Sequence, residues 1–206
     1  MTPLIAITGG IGSGKSAVCR CLTIWGFPVY DCDSRAKRLM DSDPDIHLRL
    51  REEISPATVV NGVIDRPLLA DIVFSDPSKL ATLNAIVHRR VTEDIRRWRA
   101  HHSSHPLLFV ETAILLESNL HREVDEIWLV DAPEETRLRR ACLRDNATPA
   151  RILARMRRQR DVSREETGLP LHIITNDGDS PVMARVAQLL ADRSIPTPSL
   201  GGQWKN

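Results

Sequence analysis

Several absences narrow what this 206-residue chain can be. Its apolar runs fall well short of the roughly 20 residues that a membrane-spanning helix needs. The formal net charge is only +1, so no bulk field draws the chain to nucleic acid or to a membrane surface. The four cysteines, Cys19, Cys21, Cys32 and Cys142, have no metal-ligand spacing and read as reduced residues of a cytoplasmic protein. The N-terminus starts directly with strand-like sequence and has neither a charged n-region nor a cleavage site, so no signal peptide is expected. Lysines occur only at 15, 37, 79 and 205, and none sits in an Asn/Thr-Lys-x-Asp guanine contact, which argues against a regulatory GTPase. Position 15 is Lys, so the glycines before it do not complete a Gly-x-Gly-x-x-Gly dinucleotide fingerprint. No internal repeat is visible.

What is present is concentrated near the start. An apolar run from Leu4 to Thr8 flows into Gly9-x-x-x-x-Gly14-Lys15-Ser16, the phosphate-binding loop pattern in its expected strand-to-helix context. Glycines let backbone N–H groups turn inward around a polyphosphate, and the following helix aims its positive end at the same place. Lys15 can reach the β- and γ-phosphates, and the Ser16 hydroxyl suits Mg²⁺.

Periodicity organises the rest. Strands are expected at Leu4–Thr8, Phe27–Asp31, Leu107–Glu111, Ile127–Asp131 and Leu171–Thr175, with helices between them. Residues 34–104 carry mostly helical signal. It includes a helix opened by Asp76 as cap and Pro77 at its first position, with Leu80, Leu83, Ile86, Val87, Val91 and Ile95 on one face. Helices are expected at 134–144 and 149–160, the second capped by Thr148, and a last one opens at Ser180-Pro181. Strands alternating with helices imply an α/β domain whose ligands bind at the carboxyl ends of a parallel sheet. The glycine loop, Asp31, Asp33 and Glu111 all follow strands.

Asp31 and Asp33 lie two apart at a strand exit, so both can turn toward one cleft. There a carboxylate could accept the proton of an attacking hydroxyl, or Asp33 could instead cap the next helix. Ten arginines crowd residues 137–164, opposed only by Asp145 and Asp161. They read as a lid over a nucleotide or as a nucleic-acid surface; most suit a solvated helix face, Arg157 among them, while Arg140 and Arg144 suit the lid. No aromatic residue interrupts the segment, which weakens a single-strand binding reading. His88, a lone helical histidine, reads as a surface or satisfied residue rather than a ligand contact. His101, His102 and His105 read as a polar boundary rather than a metal site, since no carboxylate or Cys partner has fitting spacing. Glu111 sits where a Walker B acid would, and Glu117 reads as a surface residue.

Together these residues resemble the dephospho-coenzyme A kinases across nearly the whole chain, in order. The resemblance rests on Thr8-Gly9-Gly10-Ile11-Gly12-Ser13-Gly14-Lys15-Ser16, Asp31-Cys32-Asp33, Asn84 to Val91 with His88, Ala113 to Glu117, Arg140 with Arg144-Asp145, and Ile174 to Gly178. Arg89 stands where Pro is frequent, and Ala113 and Leu116 where Pro and Phe are common, which bears on the shape of the acceptor pocket. The resemblance implies an α/β fold with a P-loop NTPase-type parallel sheet of about five strands flanked by helices. Residues 1–33, 106–136 and 168–193 would form the nucleotide-binding core, 34–105 a helical acceptor-binding insertion, 137–167 an Arg-rich helical lid and 194–206 a loose tail.

It further implies transfer of the γ-phosphoryl of ATP to the ribose 3′-hydroxyl of dephospho-coenzyme A, with Mg²⁺ as cofactor. Asp33 would be the base, and Lys15, Arg140 and Thr8 would complete the catalytic set. ATP would be held by Gly9, Gly10, Ile11, Gly12, Ser13, Gly14, Lys15, Ser16, Ala17, Arg140, Arg144 and Asn176. The acceptor would meet Asp31, Asp33, His88, Glu111 and Leu115, and Ser16 would ligate Mg²⁺. Closure of the lid and of the insertion would exclude water. The enzyme is expected in the cytoplasm as a monomer, without nucleic acid or membrane as partner. The rival readings are a shikimate or nucleoside monophosphate kinase and, from another class, a nucleic-acid-binding ATPase.

Overall fold

The computed structural model describes residues 2–195. They divide into two compact units, residues 31–101 and the remainder of the chain. The expected tail from 194 onward lies mostly outside the described residues.

The larger unit is built on a five-stranded sheet of β1 (Leu4–Thr8), β2 (Val29–Asp31), β5 (Leu108–Glu111), β6 (Glu126–Asp131) and β7 (Leu171–Thr175), in the order β2-β5-β1-β6-β7. β1 pairs in parallel with β5 and with β6, and β6 with β7. β1 is buried along its whole length, as a central parallel strand covered on both faces must be. Helices α1 (Lys15–Ile24) and α9 (Val182–Ala191) pack Val18, Leu22, Val186, Leu189 and Leu190 against Ile5, Ile7, Phe109 and Trp128. The remaining helices of this unit are α6 (Glu134–Asp145), α7 (Pro149–Met156) and α8 (Arg164–Thr167). Thr148 stands at the N-cap of α7 as expected, but its side chain makes no capping bond; Pro149, which has no N–H to satisfy, opens the helix. Helix α7 also stops at Met156 rather than near 160, and the chain beyond turns back toward the glycine loop.

The smaller unit holds α2 (Cys32–Ser42), α3 (Pro44–Arg49), α4 (Arg66–Ser75) and the long α5 (Pro77–His101) around Ile46, Leu50, Leu69, Val73 and Ile86. Asp76 accepts from the N–H groups of Ser78 and Lys79, the expected cap of α5. The unit is not all helical. β3 (Val59–Val60) and β4 (Val63–Ile64) form an antiparallel hairpin across Asn61-Gly62. Both turn residues have positive φ, 52° and 76°, which matches the right-handed twist of the strands they join.

Candidate active site

The phosphate loop runs from Gly9 to Gly14 between β1 and α1. Three of its glycines are obligatory for backbone reasons. Gly9 has φ +145°, and a Cβ there would run into the main-chain carbonyl of Val130. Gly12 has φ +79°, and a Cβ there would run into the main-chain carbonyl of Arg137. Gly14 has φ +100°, and a Cβ there would meet the side-chain amide of Asn176. Gly14 is also the N-cap of α1 and offers no side-chain acceptor, so the first N–H groups of that helix are left for an anion. Lys15 Nζ donates to the carbonyl oxygens of Gly9 at 2.9 Å and Gly10 at 3.2 Å, folding over the loop it serves. Ser16 Oγ donates to Glu111 Oε1 at 2.8 Å, joining the first turn of α1 to the end of β5. A hydroxyl and a carboxylate at a phosphate loop form an oxygen donor pair that suits Mg²⁺, which takes few protein ligands beside its waters and phosphates.

Asn176, just past β7, links three parts of this site. Its Nδ2 donates to the Ser13 carbonyl at 2.7 Å, and its own N–H donates to the Asp131 carbonyl at 2.7 Å. Arg140 on α6 donates through Nη1 to the Asn176 carbonyl at 2.9 Å and lies 3.5 Å from its Oδ1 through Nη2. Arg140 is thereby joined to the residue that contacts the Ser13 carbonyl of the loop. Arg144 instead donates to Asp145 at 2.7 Å and points along the lid. Asp145 also accepts from Arg155 of α7 at 2.6 Å; the hydrogen bonds from Arg144 and then Arg155 hold its carboxyl at about 2.

The segment after α7 lies against the loop. Ile11 N–H donates to Gln159 Oε1 at 2.7 Å, and Gln159 Nε2 donates to the Ala113 carbonyl at 3.1 Å. The Arg160 N–H donates to Glu117 at 3.1 Å. Glu117 is therefore a tether for the lid segment and not a plain surface residue. These contacts bound a cavity of about 650 Å³ whose walls include Thr8, Gly9 and Gly10 at one end and Leu115 and Glu117 at another. Arg157 is exposed, as the reading of a solvated face has it, and also stands at the cavity wall; Arg140 and Arg144 do not line it. Sequence reasoning missed Arg137 and Gln159. Arg137 was one of ten chemically equal arginines, and nothing in the local pattern marks Gln159.

In the smaller unit, Asp31 and not Asp33 caps α2. Asp31 accepts from the Ser34 N–H at 3.1 Å and from Ser34 Oγ at 2.5 Å. Asp33 lies in the first turn of α2, exposed, and leaves its carboxylate to solvent. The capping alternative for Asp33 is thereby removed, because the strand gives way to helix immediately after Asp31. His88 is half-buried on α5.

Comparison with known proteins places the chain in a family. The model of the dephospho-CoA kinase family matches residues 3–181. The dephospho-CoA kinase of Bacteroides fragilis is 37% identical over 187 residues, covering 91% of this chain and 91% of its own. That of Deinococcus radiodurans is 38% identical over 201 residues, covering 97% and 87%. Among solved structures, TT1252 from Thermus thermophilus superposes with a TM-score of 0.77 at 32% identity, over 98% of this chain and 99% of its own. With a family match over most of its length and relatives matched nearly end to end, the chain belongs to the dephospho-CoA kinase family.

Proposed function

We propose that the protein transfers the γ-phosphoryl group of ATP to the ribose 3′-hydroxyl of dephospho-coenzyme A, giving coenzyme A and ADP in the last step of coenzyme A biosynthesis. The observation that carries the reading is the glycine loop of a chain in this family, with Lys15 folded over it and Ser16 bonded to Glu111. In the reaction a bond forms between the acceptor 3′-oxygen and the γ-phosphorus, and the bond from that phosphorus to the bridging oxygen of ADP breaks. Asp33, with its carboxylate free in the first turn of α2, takes the hydroxyl proton. Asp31 fixes the helix that carries it, and His88 contributes to holding the acceptor.

Thr8, Lys15 and Arg140 serve the transferring phosphoryl group, and the loop N–H groups hold the β-phosphate. Mg²⁺ bound between Ser16, Glu111 and the phosphates would offset their negative charge. The lid segment pinned by Gln159 excludes water, so that ATP is spent on the acceptor and not hydrolysed. No helix of the described residues is long and apolar enough to cross a membrane. The reading includes a cytoplasmic enzyme that acts as a monomer.

The test is purified protein with ATP, Mg²⁺ and a panel of dephospho-coenzyme A, shikimate and nucleoside monophosphates, with an oligonucleotide-stimulated ATPase assay alongside. Phosphorylation of dephospho-coenzyme A alone is the expected result. Turnover of another acceptor, or ATP hydrolysis that requires oligonucleotide, would replace the reading.

A further inference from the structure

We infer that Arg137 is a nucleotide-contacting residue, whose guanidinium meets the γ-phosphoryl group on the Gly10 flank of the phosphate loop. The inference rests on the reading of that loop as the ATP site.

Helix α6 places Arg137, Arg140 and Arg144 on one face, at spacings of three and four. Two of the three have partners: Arg140 donates to Asn176 and Arg144 to Asp145. Arg137 goes elsewhere. A Cβ built on Gly10 would collide with Nη1 of Arg137, so the guanidinium lies directly against the loop backbone, while its own main-chain carbonyl abuts Gly12. Arg137 lines the cavity together with Thr8, Gly9 and Gly10. Its Nε is buried and has no hydrogen-bond partner among the described residues.

Buried donors in folded proteins are nearly always satisfied, and an exception marks the place of a missing acceptor. The guanidinium cannot escape by losing its proton. Acids stand in the same cavity wall, Asp131, Glu134 and Asp161 among them, yet no ion pair joins any of them to Arg137 among the described residues. Lys15 Nζ reaches the Gly10 carbonyl at 3.2 Å. Two cations therefore converge on one glycine, and an anion with several oxygen acceptors relieves both their repulsion and the orphaned N–H. Lys15 follows the loop into α1, and Arg137 comes from α6, so the two grip from different elements. The absence of a side chain at Gly10 is what admits the guanidinium.

The test compares Arg137→Ala, Arg137→Lys, Gly10→Ala and the Gly10→Ala/Arg137→Ala double variant, with Arg139→Ala as an exposed control on the same helix. Binding of ATP and ADP with Mg²⁺ is measured by calorimetry without acceptor, melting temperature without nucleotide, and kcat and KM with dephospho-coenzyme A. Arg137→Ala should weaken ATP binding by about tenfold or more, as for loss of a hydrogen bond to a charged group. ADP binding and the nucleotide-free melting temperature should stay near wild type. Lysine should not rescue, because it lacks the planar fork.

Gly10→Ala, whose new methyl would push the guanidinium aside, should reproduce the loss, and the double variant should be no worse than either single one. Unchanged ATP affinity in Arg137→Ala would overturn the inference. So would an equal loss of ATP and ADP binding with a lower melting temperature, which would make Arg137 a prop for the loop. A wild-type protein that binds ATP yet does not phosphorylate dephospho-coenzyme A would overturn the proposed reaction and leave the role of Arg137 intact.

Discussion

The hydroxyl of Ser16 donates to Oε1 of Glu111 at 2.8 Å, across 95 residues of chain. If this pair holds Mg²⁺ with the nucleotide, Glu111→Gln keeps an acceptor for Ser16 but removes the charge. The variant should need on the order of tenfold more Mg²⁺ for half-maximal rate, with folding unchanged. Chelation by EDTA should abolish wild-type turnover, and added Mg²⁺ should restore it. A Mg²⁺ titration of Glu111→Gln that overlays the wild type would remove the carboxylate from the metal site.

Arg140 gives a second prediction. Its two contacts with Asn176 use the fork of a guanidinium, which an ammonium cannot reproduce. Arg140→Lys should lower kcat by roughly tenfold or more, as for a preorganised charge stabiliser. Arg139→Ala, exposed on the same helix, should be nearly neutral. Equal damage from both changes would make the segment a diffuse basic surface.

Asp31 and Asp33 separate cleanly. Asp31→Ala should cost about 1 kcal/mol of stability, because it loses the cap of α2. Asp33→Asn should leave the melting temperature almost unchanged, since Asp33 caps nothing. It should retain ATP binding and lower kcat by about 10²-fold or more if Asp33 is the base. An active Asp33→Asn enzyme would leave Asp31 or Glu111 as the candidates.

The fourth prediction concerns acid. Burial pushes the Asp43 carboxyl upward, but hydrogen bonds from Arg90 and from the N–H groups of Ile46 and Asp45 outweigh it and hold the group below the usual range. A carboxyl depressed on folding stabilises above its unfolded pKa, and that contribution is lost as pH falls through the lower folded value. Wild type should therefore lose melting temperature below about pH 4, and Asp43→Asn should show a shallower loss there. At neutral pH the variant should be about 1–3 kcal/mol less stable, less than for a fully broken buried pair, because Arg90 keeps Asp45 and Glu93. Thermal melts from pH 2 to 7 for both proteins decide it.

The sheet and the phosphate loop were legible because their signals are local: predominantly apolar strands, and glycines whose φ values the turn itself requires. The hairpin at Val59–Ile64 was equally local. Its Asn61-Gly62 turn is a strong hairpin signal, but it was submerged in flanking helical periodicity. The cap of α2 was ambiguous because two aspartates stand two residues apart, and only the point where the backbone leaves β2 selects between them. Arg137 and Gln159 were not legible. Both meet the loop across more than 100 residues of sequence, and only the folded chain brings Gly10 and Ile11 to them. The family resemblance supplied expected roles for Asp33, Arg140 and His88, but it could not show which arginine abuts the loop.

The strand order has a consequence for synthesis. β1 lies at the middle of the sheet, yet its neighbours β5 and β6 begin only at Leu108 and Glu126. At about 5–20 residues per second, the central strand leaves the ribosome several seconds before anything exists for it to pair with. The helical unit of residues 31–101 contains its own apolar cluster, complete before β5 is made. The helical unit can thus bury its apolar cluster during synthesis, while the mostly apolar first strand has no sheet partner until then. In that interval, before any nucleotide can bind, the chain is most exposed to aggregation and most in need of chaperone cover.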